Sequence, residues 1–148
     1  MAPDHLSDEP LMSSSISTIA LSGMNAAARR LEVSASNVAN AGSTGALPNA
    51  DGALPAGAPR AYAPLELVQT ESAGGGTQTA VTVVTPSTTA VSDPQAPFAN
   101  QNGLVAAPNV DLSQELMGQM IASYSFTANA TMMKAVDRMS KSLLNITV

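Results

Sequence analysis

Apolar residues recur at helical spacing at both ends of the chain and at strand spacing only in the middle. From Ser13 to Ala41 the stripe is Ile16, Ala20, Met24, Ala27, Leu31, Ala35 and Val38. Each step is three or four residues, as a 3.6-residue period requires. The run Ser13-Ser14-Ser15 offers an N-cap and Gly42 a C-terminal stop. The second periodic segment begins at Asp111, an N-cap with Gln114 three residues later in a capping-box pattern. Its stripe is Met117, Ile121, Tyr124, Ala128, Met132, Ala135, Met139, Leu143 and Ile146. At about 1.5 Å per residue the two helices would be roughly 40 and 50 Å long. Both exceed the usual helix of about 11 to 12 residues.

Between them, residues 42–110 hold most of the Gly and every Pro beyond Pro10. Gly42 to Pro59 is too poor in large apolar residues to order itself and reads as a mobile loop. Leu65-Glu66-Leu67-Val68 is a short strand, Gly74-Gly75-Gly76 a break, and Thr79 to Thr85 the best strand of the chain. Asn102-Gly103 before Leu104-Val105 is a hairpin signal. The expected fold is mainly α with a small β-rich insert. It divides into an acidic, disordered extension (1–12), a first helix (13–41), a loop and hairpin insert (42–110) and a second helix (111–148).

The helix faces opposite the stripes bear most directly on function. The second helix has no charge from Leu116 to Met133, and Gln119, Ser123, Ser125, Thr127, Asn129 and Thr131 fill its other faces. Solvated helices normally intersperse Lys and Glu. Small, uncharged faces suit helices with neighbours on several sides; the plain alternative is a weakly polar exposed helix. Composition agrees. Of 148 residues only 11% are charged and 3% aromatic, and the 45% apolar content is mostly Ala, Val, Leu and Met. Small side chains bury little area each, so a self-sufficient core is harder to build than contacts between chains.

A net charge of −5 with six Lys and Arg excludes an electrostatic nucleic-acid or anionic-membrane surface. The lack of Cys excludes disulfides, thiolate metal sites and Cys nucleophiles. No run is long enough for a membrane span. Ile16 to Ala28 follows an acidic rather than a basic flank, which argues against a cleaved signal peptide. The single His5 has no triad partners, and the Gly-rich stretches lack the Lys of a phosphate-binding loop. Asp51, Glu66, Glu71 and Asp93 are scattered loop carboxylates, and the Met residues of the second helix read as adaptable packing. The expectation is a non-enzyme with no cofactor, no metal and no small-molecule substrate.

Ala35-Ser36-Asn37-Val38-Ala39-Asn40-Ala41 resembles the (A/S)-S-N-(I/L/V)-A-N-A signature of the axial proteins of the bacterial flagellar rod and hook. Ile19 to Ala26 is similar to their I-A-x-S-G-M-x-A lead-in, and Leu31-Glu32-Val33 to the L-x-V that follows. Within that family, Val91 to Pro97, Ala99 to Val105, Pro108-Asn109-Val110 and Glu115 through Asn129 resemble, in order and spacing, elements of the proximal-rod members. The resemblance covers residues 13–148. It departs at Gly42-Ser43-Thr44-Gly45, where Thr-Pro-Gly-Tyr is frequent, at Ser92 and Leu104, where Tyr is usual, and near Ser125, where Arg is usual. The departures suggest a divergent member, such as the copy of a second flagellar system.

The resemblance implies a structural subunit of the proximal rod whose terminal helices pair as a coiled coil. Its implied partners are copies of itself, other rod proteins, the rod-base adaptor and the flagellar type III export apparatus. It implies a place in the periplasm-spanning rod, reached without a cleaved signal. It also makes Met12 a natural start, with the residues before it a misassigned extension. The alternative is a secreted surface-fibre or adhesin component with paired terminal helices, which explains the composition but not the motifs.

Overall fold

The computed structural model of the chain describes residues 9–49 and 52–146. The order is α1 (Glu9–Asn40), β1 (Leu65–Glu71), β2 (Thr77–Val83), β3 (Thr88–Ser92), β4 (Leu104–Pro108) and α2 (Leu112–Ile146). The two long helices and the small strand insert match the expected class. The proposed extension lies mostly outside the described residues.

α1 begins at Glu9 and passes through Ser13-Ser14-Ser15, so that run is inside the helix rather than at its start. It ends where expected, but not on a left-handed glycine. Ser43 closes the turn instead: its N–H and Oγ both donate to the Asn40 carbonyl, at 3.0 and 2.8 Å. At the start of α2 the Asp111 carboxylate accepts the N–H groups of Ser113 (2.8 Å) and Gln114 (3.2 Å), as an N-cap should.

The helices pack side by side and antiparallel: Ser34 Oγ donates to the Glu115 carbonyl at 3.1 Å, while Gly23, earlier in α1, meets Asn129, later in α2. The seam is made of small and polar residues. On α1 it follows Ala20, Gly23, Ala27, Arg30, Ser34 and Asn37, with steps alternating between three and four. On α2 it follows Gly118, Ala122, Ser125 and Asn129. Such residues let two backbones approach closely, and Ala20, Ala26, Ala27 and Ala122 are all buried.

The expected packing stripe of α2 therefore does not face α1. Met117, Ile121, Tyr124, Met132, Met139 and Leu143 are exposed, as is Ala128, while Ala135 is half-covered. The side chain of Ile146 is outside the described set. On α1 the stripe divides: Ala20 and Ala27 enter the seam, Met24 and Val38 are partly covered, and Ile16, Leu31 and Ala35 are exposed. Periodicity locates an apolar face but does not say which neighbour covers it. Close approach selected the other face for the partner within the chain.

β1 and β2 form an antiparallel hairpin, in register from Leu65↔Val83 to Glu71↔Thr77. Gly74-Gly75-Gly76 belongs to its loop, with Gly75 and Gly76 at positive φ, a conformation glycine adopts without steric cost. β3 and β4 form a second antiparallel pair, Thr88↔Pro108 to Ser92↔Leu104, so the Asn102-Gly103 turn closes a longer connection rather than a two-residue hairpin. The Gly-rich segment after α1 is tied in at its ends. Gly45 exchanges both backbone hydrogen bonds with Ala106, at 2.9 and 2.8 Å, and the Ala46 N–H donates to the Pro59 carbonyl at 2.9 Å. A small core of Ala46, Val105 and Ala106 lies where that segment meets β4.

Candidate functional site

Two surfaces follow from this arrangement: a buried polar clamp that holds the ends of the helices and the hairpin together, and an outer apolar face. The clamp centres on Asn37, which is 2% exposed. Its Nδ2 donates to the Leu65 carbonyl (2.8 Å) and to Glu115 Oε1 (2.6 Å). Its Oδ1 accepts from Leu65 N–H (2.9 Å) and from the Tyr62 hydroxyl (3.1 Å). All four bonds available to an amide side chain are made, which is the condition for burying one without penalty. Three segments thus meet at one residue: the end of α1 itself, the stretch from Tyr62 into β1 and the first turn of α2.

The neighbours of Asn37 extend the clamp. Ser36 Oγ and the Tyr62 hydroxyl lie 3.0 Å apart in a hydrogen bond. Ser34 Oγ accepts from Gln119 Nε2 at 3.2 Å while donating to Glu115. Asn40 Nδ2 donates back to the Ser36 carbonyl at 2.8 Å and helps to finish α1. Val38 is half-buried and Ala39 exposed. Pro108, Asn109 and Val110 form a second junction, at the entrance to α2. Asn109 Nδ2 donates to the Pro86 carbonyl and its N–H to the Ser87 carbonyl, both at 3.0 Å. Pro108 is buried at the end of β4, and the Val110 N–H donates to its carbonyl at 2.9 Å.

Sequence reasoning does not single out Tyr62 or Glu115 as clamp residues, and it reads Gly45 only within a rejected phosphate-loop candidate and as a departure from a pattern. Glu115 carried a signal, since it lies one turn past the Asp111 cap and faces the start of an uncharged stretch. Tyr62 and Gly45 carried none that spacing could reveal. An added Cβ at Gly45 would lie 2.2 Å from the Ala61 nitrogen, a conflict that depends on how a distant loop returns.

The outer face is dominated by α2. Tyr124 is 72% exposed, Met117 63% and Ile121 47%. Contiguous apolar surface of this kind, flanked by polar residues, marks a site of interaction. The polar side chains around it are satisfied along their own helix. Thr127 Oγ1 donates to the Ser123 carbonyl (3.0 Å) and Thr131 Oγ1 to the Thr127 carbonyl (2.8 Å), as in the seam Asn129 Nδ2 donates to the Ser125 carbonyl (2.8 Å). Polar groups already bonded to their own backbone lose little when a neighbour covers them. The charged pairs lie off this face: Arg29–Glu32 (2.8 Å) and Asp137–Lys141 (2.7 Å) are exposed and contribute little to stability. A cleft of about 240 Å³ separates the helix pair from the hairpin and is lined by Ile19, Gly23, Arg30, Gln69, Thr77 and Asn129 among others. Glu66 and Glu71 lie on β1 and Asp93 follows β3; Asp51 is outside the described residues. No helix among the described residues is long and apolar enough to cross a membrane.

The fold and site define a class: a structural subunit with helical ends and an apolar face on α2 that the other described residues leave exposed. Comparison with known proteins gives the family. Residues 18–46 match the family described as "Flagella basal body rod protein", and residues 101–146 that described as "Flagellar basal body rod FlgEFG protein C-terminal". The flagellar basal-body rod protein FlgC of Salmonella typhimurium strain LT2 is 33% identical over 128 residues, covering 86% of this chain and 92% of that protein. FlgC of Salmonella typhi matches to the same extent. The chain belongs to the flagellar basal-body rod family and is a FlgC-like structural subunit of the rod. Both helical ends fall within rod-family matches, which disfavours the surface-fibre alternative.

Proposed function

We propose that this chain builds the proximal part of the rod, the drive shaft that carries torque from motor to hook, by polymerising through its terminal helices. The observation that carries this reading is the orientation of the α2 stripe. Met117, Ile121, Tyr124, Met132 and Met139 point away from the chain's own α1, on a helix with no charge from Leu116 to Met133. Burying that face stabilises an assembly and exposing it costs the isolated subunit. The alternation of three- and four-residue steps in the seam supports pairing of α1 and α2 as a short antiparallel coiled coil. The clamp at Asn37 sets how the two helices and the insert are presented together. Its partners in this reading are further copies, the other rod proteins and the rod-base adaptor. Export would use the flagellar type III apparatus without a cleaved signal.

The test is mass spectrometry of hook–basal bodies purified from the source organism. Peptides from residues 61–133 enriched with other rod proteins are the expected result. Intact, flagellated basal bodies without those peptides would overturn the assignment to that rod.

A further inference from the structure

The free edges of the two hairpins are not equivalent. The Val84 N–H donates to the Pro64 carbonyl at 2.9 Å, which makes 64 and 84 a hydrogen-bonded pair. Bonded and open pairs alternate from there along the register. Leu65, Leu67, Gln69 and Glu71 therefore turn their backbone groups outward from β1, and Thr77, Thr79, Val81 and Val83 outward from β2. The side-chain bonds agree. Asn37 takes both backbone groups of Leu65, and Ser22 Oγ accepts the Thr77 N–H at 3.1 Å. Among the described residues, Thr79, Val81 and Val83 find no backbone partner on the β2 edge, and Leu67, Gln69 and Glu71 find none on the β1 edge.

In the second pair one edge is occupied. The Asn109 N–H to Ser87 carbonyl bond sets the alternation, so Thr88, Ala90 and Ser92 turn outward from β3. On the opposite edge Gly45 already occupies Ala106. Open edges thus remain on β1, β2 and β3, each presenting three residues at alternate positions, and charge distinguishes them. Natural sheets blunt such edges with charge, proline or a bulge. β1 carries Glu66 and Glu71, but no charged residue occurs from Ser72 to Ser92, and the proline of that run, Pro86, lies between the strands.

We infer that the β2 edge of one copy pairs antiparallel with the β3 edge of the next, with Thr79, Val81 and Val83 opposite Ser92, Ala90 and Thr88. The two edges match in length, in phase and in lack of charge. Because they are different surfaces, the contact is heterologous and propagates instead of closing, as a rod requires. Pairing of β2 with itself would form a two-fold contact that ends growth. The choice of partner rests on the polymerising-subunit reading above. The edge contact supplements the helix contacts by adding directional main-chain bonds at the outer insert.

The experiment uses purified full-length protein, so it does not depend on where the chain resides in the cell. The chain has no cysteine, which makes introduced thiols unique. Thr82→Cys and Thr89→Cys are made in separate chains of different tag length, mixed at high concentration and oxidised. In the inferred register these positions form an open pair, with Cα atoms about 4.5 Å apart and within disulfide reach. The expected result is a heterodimer at least about tenfold above a Thr82→Cys with Asn102→Cys control. Adding Val81→Pro to the first chain should remove it, because that N–H faces outward and the internal ladder does not use it. A heterodimer no more abundant than the control overturns the inference. So does a dominant Thr82→Cys homodimer, which would mean that β2 pairs with itself. Failure here leaves the basal-body assignment intact, and failure of that assignment leaves the cross-link result to be read on its own.

Discussion

Asn37 Nδ2 donates to Glu115 Oε1 at 2.6 Å, joining residues 78 apart in sequence at the point where the end of α1 meets the first turn of α2. The same amide holds both backbone groups of Leu65. It replaces a neighbouring strand at the base of the hairpin and fixes the angle at which the insert leaves the helix pair. A family motif residue thereby acquires a physical role. It joins three elements of the subunit.

Asn37→Ala should therefore be among the most destabilising single changes in the chain. It would leave the Leu65 backbone groups without partners in a buried site, and a loss of about 2–4 kcal/mol is expected from the usual cost of orphaned buried groups. Thermal unfolding followed by circular dichroism reads it. Asn37→Asp should also destabilise, because it removes the donor to Leu65 and sets a carboxylate against Glu115.

Two glycines should respond in opposite ways. At Gly45 an added Cβ would strike the backbone at Ala61 and Arg60, at 2.2 and 2.5 Å, and backbone cannot yield cheaply. Gly45→Ala should cost about 3 kcal/mol. At Gly23 the atoms in the way belong to the Asn129 side chain, which can rotate aside. The gain of about 1 kcal/mol from replacing a helix glycine with alanine offsets that movement, so Gly23→Ala should stay near wild-type stability. Equal losses in the two variants under urea unfolding would contradict this contrast.

On the outer stripe, stability and assembly should separate. Ala128→Lys and Tyr124→Lys alter exposed positions, so unfolding of the isolated subunit should change by no more than about 0.5 kcal/mol. Incorporation into basal bodies, and with it motility, should be lost because a charge enters an apolar contact. Normal swimming by both variants would remove α2's stripe as the assembly surface.

Asp111→Ala tests the entrance to α2. It removes the acceptor of the Ser113 and Gln114 N–H groups, and about 1 kcal/mol should be lost. Hydrogen exchange should rise in the first turn of α2 and leave the hairpin unchanged. Protection that falls equally along the whole helix would point to a wider role.

Much of the architecture could be read from local pattern. The two helices, the Asp111 cap, the end of α1 near Asn40 and the strands around Leu65 and Val81 follow from period, capping chemistry and β-branched residues. Each of these depends on neighbours a few positions away. The distribution of charge is local too, and it points to a subunit that is covered on several sides. The start of α1 escapes this kind of reading because the Ser13-Ser14-Ser15 run has the composition of a cap without being at a helix end.

What required the assembled chain was the choice of faces. On hydropathy alone, α2's Met117, Ile121 and Tyr124 should be the buried side. The helices instead meet through Gly23, Ala27, Ala122 and Asn129, because small side chains allow a close approach that long apolar ones prevent. Gly45 against Ala106 and Asn37 against Leu65 and Glu115 were likewise invisible in one dimension, since each joins segments brought together only when the insert folds back on the helix pair. Local propensity is a property of adjacent residues and is written in their order. The partner of a face is set by shape and by hydrogen bonds between distant residues, and those exist only once the chain has folded.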